Sequence, residues 1–113
     1  MKIIIAGCRD FVDYERFCRL CAALVPGDAE LVTGGAPGTD ALAVRYARER
    51  DLRLRVFRAD WALHGKLAGP IRNREMAAYG DRLIAFWDGK SRGTKDMIRA
   101  ARKAGIGVKV VVI

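Results

Sequence analysis

Histidine, cysteine and long apolar stretches are scarce in this sequence of 113 residues, and each scarcity argues against a class of protein. There is one histidine, and no metal cluster or catalytic triad can be recognised. The cysteines number three, which is odd, and they lack the spacing of a disulfide framework. Both facts argue against a secreted domain that is stabilised by disulfides. No apolar run approaches the roughly 20 residues that cross a bilayer. We therefore expect a cytoplasmic protein with no metal, no other cofactor and no membrane contact.

Two short segments look like functional signals, and we interpret both as structural. Residues 1–7 combine one lysine with an apolar run, but the run is too short for a signal peptide and no cleavage site follows it. Cys18 and Cys21 form a Cys-x-x-Cys pair inside a helical pattern, and no second pair completes a zinc site. The first segment is predicted to be a buried strand, and the two cysteines are predicted to be core residues on one helix face.

Basic residues are in excess, and the formal net charge is +8. A positive net charge favours acidic ligands, namely nucleotides, phosphates or nucleic acid. The charge alone does not distinguish among these ligands. Apolar residues make up 51% of the chain, which is enough for a core, and the length fits one domain over residues 1–113.

Strand-like and helix-like patterns alternate along the chain, which is typical of a parallel sheet covered by helices. Ile3–Ala6 is apolar at consecutive positions, so the first strand should be buried on both faces. Charged and apolar side chains alternate in Arg53–Phe57, so the third strand should lie at an exposed edge. We expect the other strands at Leu31–Thr33, Leu83–Trp87 and Val108–Ile113, helices at Phe17–Leu24, Thr39–Arg50, Ile71–Tyr79 and Thr94–Ala104, and a long loop at Ala59–Pro70.

These patterns predict an α/β fold, a Rossmann-like three-layer sandwich around a parallel five-stranded sheet of order 3-2-1-4-5. In such a sheet the ligand crevice lies between strands one and four, outside their carboxyl ends. Glycines and polar residues do follow the central strands in the sequence. We therefore expect the binding site at that edge of the sheet.

The segment Gly34–Asp40 is the strongest candidate for a phosphate-binding loop, since a strand runs through glycines directly into a helix. Glycines allow the backbone to approach an anion closely, and the N–H groups at a helix start bind phosphate. The expected ligand-binding residues are Gly34, Gly35, Gly38, Thr39 and Asp40. Asp40 has the wrong charge for phosphate, so we expect it to meet ribose hydroxyls or to cap the helix. An ordinary tight turn is the alternative.

Three further elements complete the expected pocket. Gly7 and Arg9 follow the first strand, and the segment Asp88–Thr94 is interpreted as a second anion site with its ligand-binding residues at Lys90, Ser91, Gly93 and Thr94. Arg72 offers a bidentate fork for phosphate, and Asn73 can bind a base edge or a hydroxyl. Two of these elements have a structural alternative. The segment Asp88–Thr94 can be a solvated basic loop with a serine or threonine cap, and Arg72 can be an ordinary surface arginine.

The long loop contains a tryptophan and the only histidine of the chain. Trp61 either stacks on a base or anchors the loop to the core, and the sequence leaves both readings open. His64 has no serine or aspartate arrangement around it, so we expect it to be solvated.

Several motifs, in this order, resemble the YspA-type, YpsA-related members of the SLOG superfamily, which also contains the DNA-processing protein DprA and the cytokinin-activating LOG enzymes. The segments that carry the resemblance are Ile5–Phe11, Gly34–Ala43, Ala59–Trp61, Ala68–Met76, Ala85–Gly89 and Gly93–Ile98. The resemblance covers essentially the whole chain. It implies a Rossmann-like, SLOG-like domain that binds a nucleotide or a nucleotide derivative.

The LOG enzymes provide a residue-level comparison. Their R-K-x-x-M element is similar to Arg72-Asn73-x-x-Met76, which puts Arg72 where their catalytic arginine lies and replaces their lysine by Asn73. Their P-G-G-x-G-T-x-x-E element is similar only at Gly93-Thr94, because the glutamate position is Met97 here. Asp96 is one residue away and is expected to point elsewhere on the helix, by roughly 100°.

We interpret the protein as a domain that binds or senses a nucleotide or a nucleotide derivative through phosphate and ribose, with no confident catalytic residue. One alternative is a LOG-like nucleotide N-glycosidase (a phosphoribohydrolase), in which Arg72 would be catalytic. A second alternative is DprA-like nucleic-acid binding, with Lys95, Arg99, Arg102 and Lys103 as its basic helix face, although a solvated face explains these residues as well. The sequence leaves association between copies of the chain open.

Overall fold

The computed structural model of the protein covers residues 1–113 and contains one five-stranded sheet with helices on both faces. The strands are β1 (Lys2–Gly7), β2 (Glu30–Thr33), β3 (Arg53–Val56), β4 (Arg82–Trp87) and β5 (Gly107–Val112). The helices are α1 (Tyr14–Leu24), α2 (Thr39–Glu49), α3 (Trp61–His64), α4 (Ala68–Tyr79) and α5 (Arg92–Lys103), with a 3-10 turn at Gly65–Leu67. No helix has both the length and the apolar character required to cross a membrane.

All strands of the sheet are parallel, and their order is β3-β2-β1-β4-β5, which confirms the predicted α/β, Rossmann-like architecture. In β1 the residues Ile3, Ile4 and Ile5 are fully buried, as expected for a central strand. β3 lies at one edge, where Arg53 and Arg55 are exposed. Because β1 and β4 are parallel neighbours, their carboxyl ends lie side by side.

The period of two along each strand separates the core into two layers. Ile3 and Ile5 pack with residues of α1 and α2, including Phe17, whereas Ile4 packs with residues of α4 and α5, including Met76. Cys21 is fully buried and the partly buried Cys18 packs against the same cluster, so the prediction that both are core residues is confirmed. The helices are thereby held so that α2, α4 and α5 all begin at one edge of the sheet.

Three expected helix starts are wrong, and the first is that of α1, which begins at Tyr14 rather than at Phe17. The long loop at Ala59–Pro70 contains α3 and the 3-10 turn, and α4 begins at Ala68 rather than at Ile71. The carboxylate of Asp60 accepts the N–H of Leu63 at 3.0 Å and caps α3. The last helix begins at Arg92 rather than at Thr94, because Ser91 is its N-cap. His64 is exposed, as expected.

Candidate ligand-binding cleft

A cleft of about 660 Å³ opens at the carboxyl end of β1, between the first turns of α2, α4 and α5. Ala6 and Gly7 form its floor at the strand end, and Met76 and Met97 contribute apolar surface. Most of the remaining lining is polar or charged. The cleft lies at the edge of the sheet where the sequence predicts the site.

A chain of hydrogen bonds crosses one wall of the cleft. Nη1 of Arg72 donates to the carbonyl oxygen of Gly34 at 2.8 Å, and its Nε donates to Oδ1 of Asn73 at 3.0 Å. Nδ2 of Asn73 in turn donates to Oδ2 of Asp96 at 2.9 Å. Asn73 is buried, so both ends of its amide need partners, and here both are satisfied. The network fixes the Arg72 guanidinium in place and joins α4 to the loop after β2 and to α5.

Two carboxylates line the cleft. Asp40 is buried and accepts the N–H of Ala36 at 3.1 Å. Burial raises the pKa of Asp40, and the Ala36 N–H and the charge of Arg72 only partly oppose that increase. Burial likewise lowers the pKa of Arg72, against the attraction of Asp40. Asp96 is expected to point elsewhere on the helix than the buried Met97, and the side chains of both line the cleft, with Asp96 beside Asn73.

The Gly34–Asp40 loop is packed tightly against its neighbours. A Cβ on Gly38, whose φ is +77°, would lie 2.1 Å from the carbonyl oxygen of Arg9. The buried hydroxyl of Thr39 donates to the carbonyl oxygen of Cys8 at 2.9 Å. A Cβ on Gly7 would lie 2.5 Å from that same hydroxyl oxygen. These glycines therefore allow the loops after β1 and β2 to approach each other.

The Asp88–Thr94 segment is more open. The Asp88 carboxylate accepts the N–H groups of Lys90 at 2.8 Å and Ser91 at 2.9 Å, which lowers its pKa. The hydroxyl of Ser91 accepts the N–H of Thr94 at 3.4 Å and caps α5. A Cβ on Gly93 would meet nothing within 4 Å. The first turn of α5 therefore faces the cleft with space in front of its backbone.

The cleft brings together part of the expected set of binding residues. Those that line it are Gly7, Arg9, Asp40, Arg72, Asn73, Ser91, Gly93 and Thr94. Those that do not line it are Gly34, Gly35, Gly38, Thr39 and Lys90. Gly35 lines a separate shallow groove with Arg45, Arg48 and Arg58. Contact of these outlying residues with a ligand stays a prediction.

Sequence reasoning did not assign Arg92, Lys95, Asp96 and Arg99 to the pocket, yet all of them line the cleft. Lys95, Asp96 and Arg99 follow Arg92 at three, four and seven residues, which places the four on one broad face of α5. That spacing was readable in the sequence. Only Arg92 lies outside the expected helix Thr94–Ala104, whereas assigning the other three to the pocket requires knowing which face of α5 meets the cleft.

One group of metal-binding residue types lies beside the cleft. The ligand atoms of Cys8, Asp10 and Asp88 are within 4.8 Å of one another. Burial raises the pKa of the Cys8 thiol, which disfavours the thiolate that binds metals. Asp88 already accepts two backbone N–H groups. These contacts explain the cluster structurally, and we assign no metal to it.

Comparison with known proteins identifies the family. The model of the YAcAr family, described as the YspA, cpYpsA-related SLOG family, matches residues 1–64. The chain belongs to this SLOG family. This confirms the resemblance seen in the sequence motifs. The Gene 61 protein of Mycobacterium phage D29 is 45% identical to the SLOG chain, over 69% of the chain and 67% of the phage protein.

The fold is also found in a solved structure of DNA processing protein A from Helicobacter pylori. That structure was described for the single-stranded DNA binding mode of the Helicobacter protein. The TM-score is 0.77 at 22% sequence identity. The match covers 97% of the SLOG chain but only 64% of the Helicobacter chain, so the SLOG chain spans less than two thirds of that protein. At this level of identity the likeness establishes the fold.

Proposed function

We propose that this SLOG protein binds a nucleotide or a nucleotide derivative in the cleft, through its phosphate and ribose groups. The observation that carries the proposal is a set of exposed cations around the cleft, Arg9, Arg92, Lys95 and Arg99. The salt bridges of the structure involve other residues, so these four charges have no acidic partner within 4 Å. Unpaired cations that converge on a concave site favour an anionic ligand.

The start of α5 supports a phosphate position. The N–H groups of Arg92 and Gly93 have no protein acceptor, and the absence of a side chain at Gly93 leaves their approach open. The helix dipole adds partial positive charge at this end. A phosphate there would also lie near the side chains of Arg92 and Lys95.

Asp40 supports a ribose position on the opposite side of the cleft. Its carboxylate accepts the N–H of Ala36, lies near the Thr33 hydroxyl and the Gly34 backbone, and lines the cleft, where a ligand hydroxyl could also donate to it. Arg72 balances its charge without occupying the cation sites at α5. A ligand with a phosphate at one end and a ribose diol at the other matches a cleft with cations at the start of α5 and a carboxylate at Asp40.

Calorimetric titration with AMP, ADP and ADP-ribose tests the proposal, and we expect a Kd of about micromolar or lower for at least one of them. Arg92→Ala should weaken binding about tenfold, since a charge-assisted contact is lost. Arg102→Ala removes the same charge from the last turn of the same helix, away from the cleft, and should bind like the wild type. Absence of binding by every phosphate-bearing compound would refute the proposal.

Single-stranded nucleic acid is a second candidate ligand, favoured by a groove of about 330 Å³ between α4 and α5. Arg74, Arg99 and Lys103 line this groove, and Asp96 and Arg99 belong to both the groove and the cleft. A chain of phosphates could therefore continue from one to the other. The fold likeness to a protein studied for its single-stranded DNA binding is consistent with this candidate.

Fluorescence anisotropy with a labelled oligothymidylate separates the two candidates. We expect weak binding that decreases steeply with salt and is reduced by Lys103→Ala, since charge neutralisation dominates such binding. Nanomolar affinity that persists at about 200 mM salt would make nucleic acid the primary ligand.

The N-glycosidase alternative gains one observation, because Asp96 supplies a carboxylate in the cleft where Met97 does not. Asp96 is engaged by the amide of Asn73, however, and Asp40 is assigned to the ribose hydroxyls in the proposed binding mode. We therefore expect no enzyme-like release of adenine from AMP when the reaction is followed by chromatography. Turnover by the wild type that is lost in Asp96→Ala would establish the hydrolase instead.

A further inference from the structure

The two tryptophans of the chain have different surroundings. Trp87 is partly buried against both core layers, and its indole N–H donates to the carbonyl oxygen of Ser91 at 3.1 Å. Trp61 is 53% exposed and belongs to neither core layer. Its indole N–H has no acceptor, and no aromatic or cationic side chain stacks on its ring. Trp61 therefore does not anchor its segment by insertion into either core layer.

The position of Trp61 is nevertheless well defined. It is the first residue of α3, which is capped by Asp60. A Cβ on Gly69 would lie 3.4 Å from Cη2 of Trp61 and 4.0 Å from Cζ2, so the edge of the indole rests close to the backbone at the start of α4. Trp61 also lines the cleft. A large aromatic surface is thus held at the rim of a cationic cleft and left more than half exposed.

A ligand that covered the exposed indole would remove its apolar surface from water and could stack on its face. The other lining residues explain recognition of phosphate and hydroxyl groups, but none of them offers an aromatic face. A nucleobase is the part of a nucleotide that such a face would bind, since every base has a π surface and stacking needs no hydrogen-bond match.

We propose that Trp61 is the platform on which the ligand's base stacks, and that the ligand class is therefore a base-bearing nucleotide rather than a sugar phosphate or inorganic phosphate. The inference rests on the proposed function of the cleft. It adds the recognition of the base, which is separable from the recognition of the phosphate and ribose.

AMP and ribose 5-phosphate are matched probes, because they share the phosphate and ribose and differ by the base. In calorimetric titrations the wild type should bind AMP about tenfold more tightly than ribose 5-phosphate. Trp61→Ala should weaken AMP binding about tenfold and leave ribose 5-phosphate binding unchanged, whereas Trp61→Phe should retain most of the AMP affinity. Leu63→Ala is the control, since Leu63 is 72% exposed on the same helix and does not line the cleft.

Fluorescence provides a second readout that leaves Trp61 in place. In a Trp87→Phe variant the remaining indole is Trp61, and AMP should quench its emission while ribose 5-phosphate should not. Equal binding of both probes, with AMP affinity unchanged in Trp61→Ala, would overturn the platform and leave the phosphate and ribose site standing. Binding of neither probe nor any other nucleotide would overturn the proposed function and the platform with it.

Discussion

The two glycine-containing loops at the edge of the sheet differ in what their glycines do. In the Gly34–Asp40 loop, Gly38 makes room for the backbone of Arg9, and Gly34 makes room for the Arg72 guanidinium. In the Asp88–Thr94 loop, added Cβ atoms on Gly89 and Gly93 would meet nothing within 4 Å. The first loop is filled by the protein itself, whereas the second leaves its backbone accessible from the cleft.

This difference shows that the number of glycines does not identify an anion site. The first loop is richer in glycine, and the sequence therefore favours it as the phosphate loop. Glycine serves equally well for close approach of protein backbone and for close approach of a ligand. Only the atoms around a glycine show whether protein backbone or a ligand can approach it. In this structure the glycines of the Asp88–Thr94 loop have free space around them, so the α5 side of the cleft is the accessible side.

The largest effect in this comparison is expected from Gly38→Ala. The substitution combines a positive φ with a Cβ 2.1 Å from backbone oxygen, so the loops after β1 and β2 must separate. We expect a loss of about 3 kcal/mol or more in the free energy of unfolding, measured in urea. Gly89→Ala is the control, because it has a φ of +82° without any close neighbour and should lose only about 1 kcal/mol. Equal losses in the two variants would show that contact with Arg9 is unimportant.

A smaller effect is expected from Thr39→Val, which keeps the shape of the side chain and removes the buried hydroxyl. The hydrogen bond to Cys8 is lost, but the Cys8 carbonyl still accepts the N–H groups of Thr39 and Phe11. We expect a loss of about 1 kcal/mol in urea unfolding. Thr94→Val in the other loop should lose less, because its hydroxyl partner Ser91 is only partly buried and can turn to water. A larger loss in Thr94→Val would reverse the comparison.

Much of the fold was predictable because hydrophobic periodicity reports burial directly. The continuous apolar run at Ile3–Ala6 placed β1 in the centre, and the charged alternation of Arg53–Phe57 placed β3 at the edge. Strand order and the rule for crossovers then located the cleft. The general position of the site followed from topology.

The composition of the site was harder to predict because it depends on local caps and on distant neighbours. Ser91 caps α5, which adds Arg92 to its first turn, and the contact of Asp96 with Asn73 of α4 holds its carboxylate at the cleft. α3 is a single turn, and its only signal in the sequence is the cap at Asp60. A helix of four residues is too short to display the repeat of apolar residues that identifies longer helices. The packing of Gly38 against Arg9 joins segments that the sequence cannot align before the fold is known.

Gly93→Ala should raise stability slightly. Gly93 lies in the first turn of α5 with a helical backbone, is exposed, and has free space around it. Alanine restricts the unfolded chain and favours the helix, so we expect a gain of about 0.5 kcal/mol in thermal or urea unfolding. If a phosphate contacts this backbone as proposed, the same variant should bind nucleotide more weakly. A stabilised variant with unchanged affinity would move the phosphate position away from Gly93.

The smallest effects are expected from removing one carboxylate charge in each loop, and they should have opposite dependence on pH. Asp40→Asn and Asp88→Asn both keep an oxygen that accepts the existing backbone N–H groups, so little besides the charge changes. Burial raises the pKa of Asp40 above its ordinary value of 3.8. The wild type therefore loses stability relative to Asp40→Asn as pH rises from about 4 through the raised pKa, because the buried carboxylate must ionise.

The carboxylate of Asp88 behaves in the opposite way. Its hydrogen bonds from Ser91 and Lys90 lower its pKa, so the ionised form favours the folded state. The wild type should exceed Asp88→Asn in stability above about pH 4 and lose that advantage as pH falls through the lowered pKa. Urea unfolding of the three proteins between about pH 3 and pH 8 measures both differences. Parallel curves for the two variants would mean that the two loops share one electrostatic environment, contrary to the filled and open arrangement that distinguishes them.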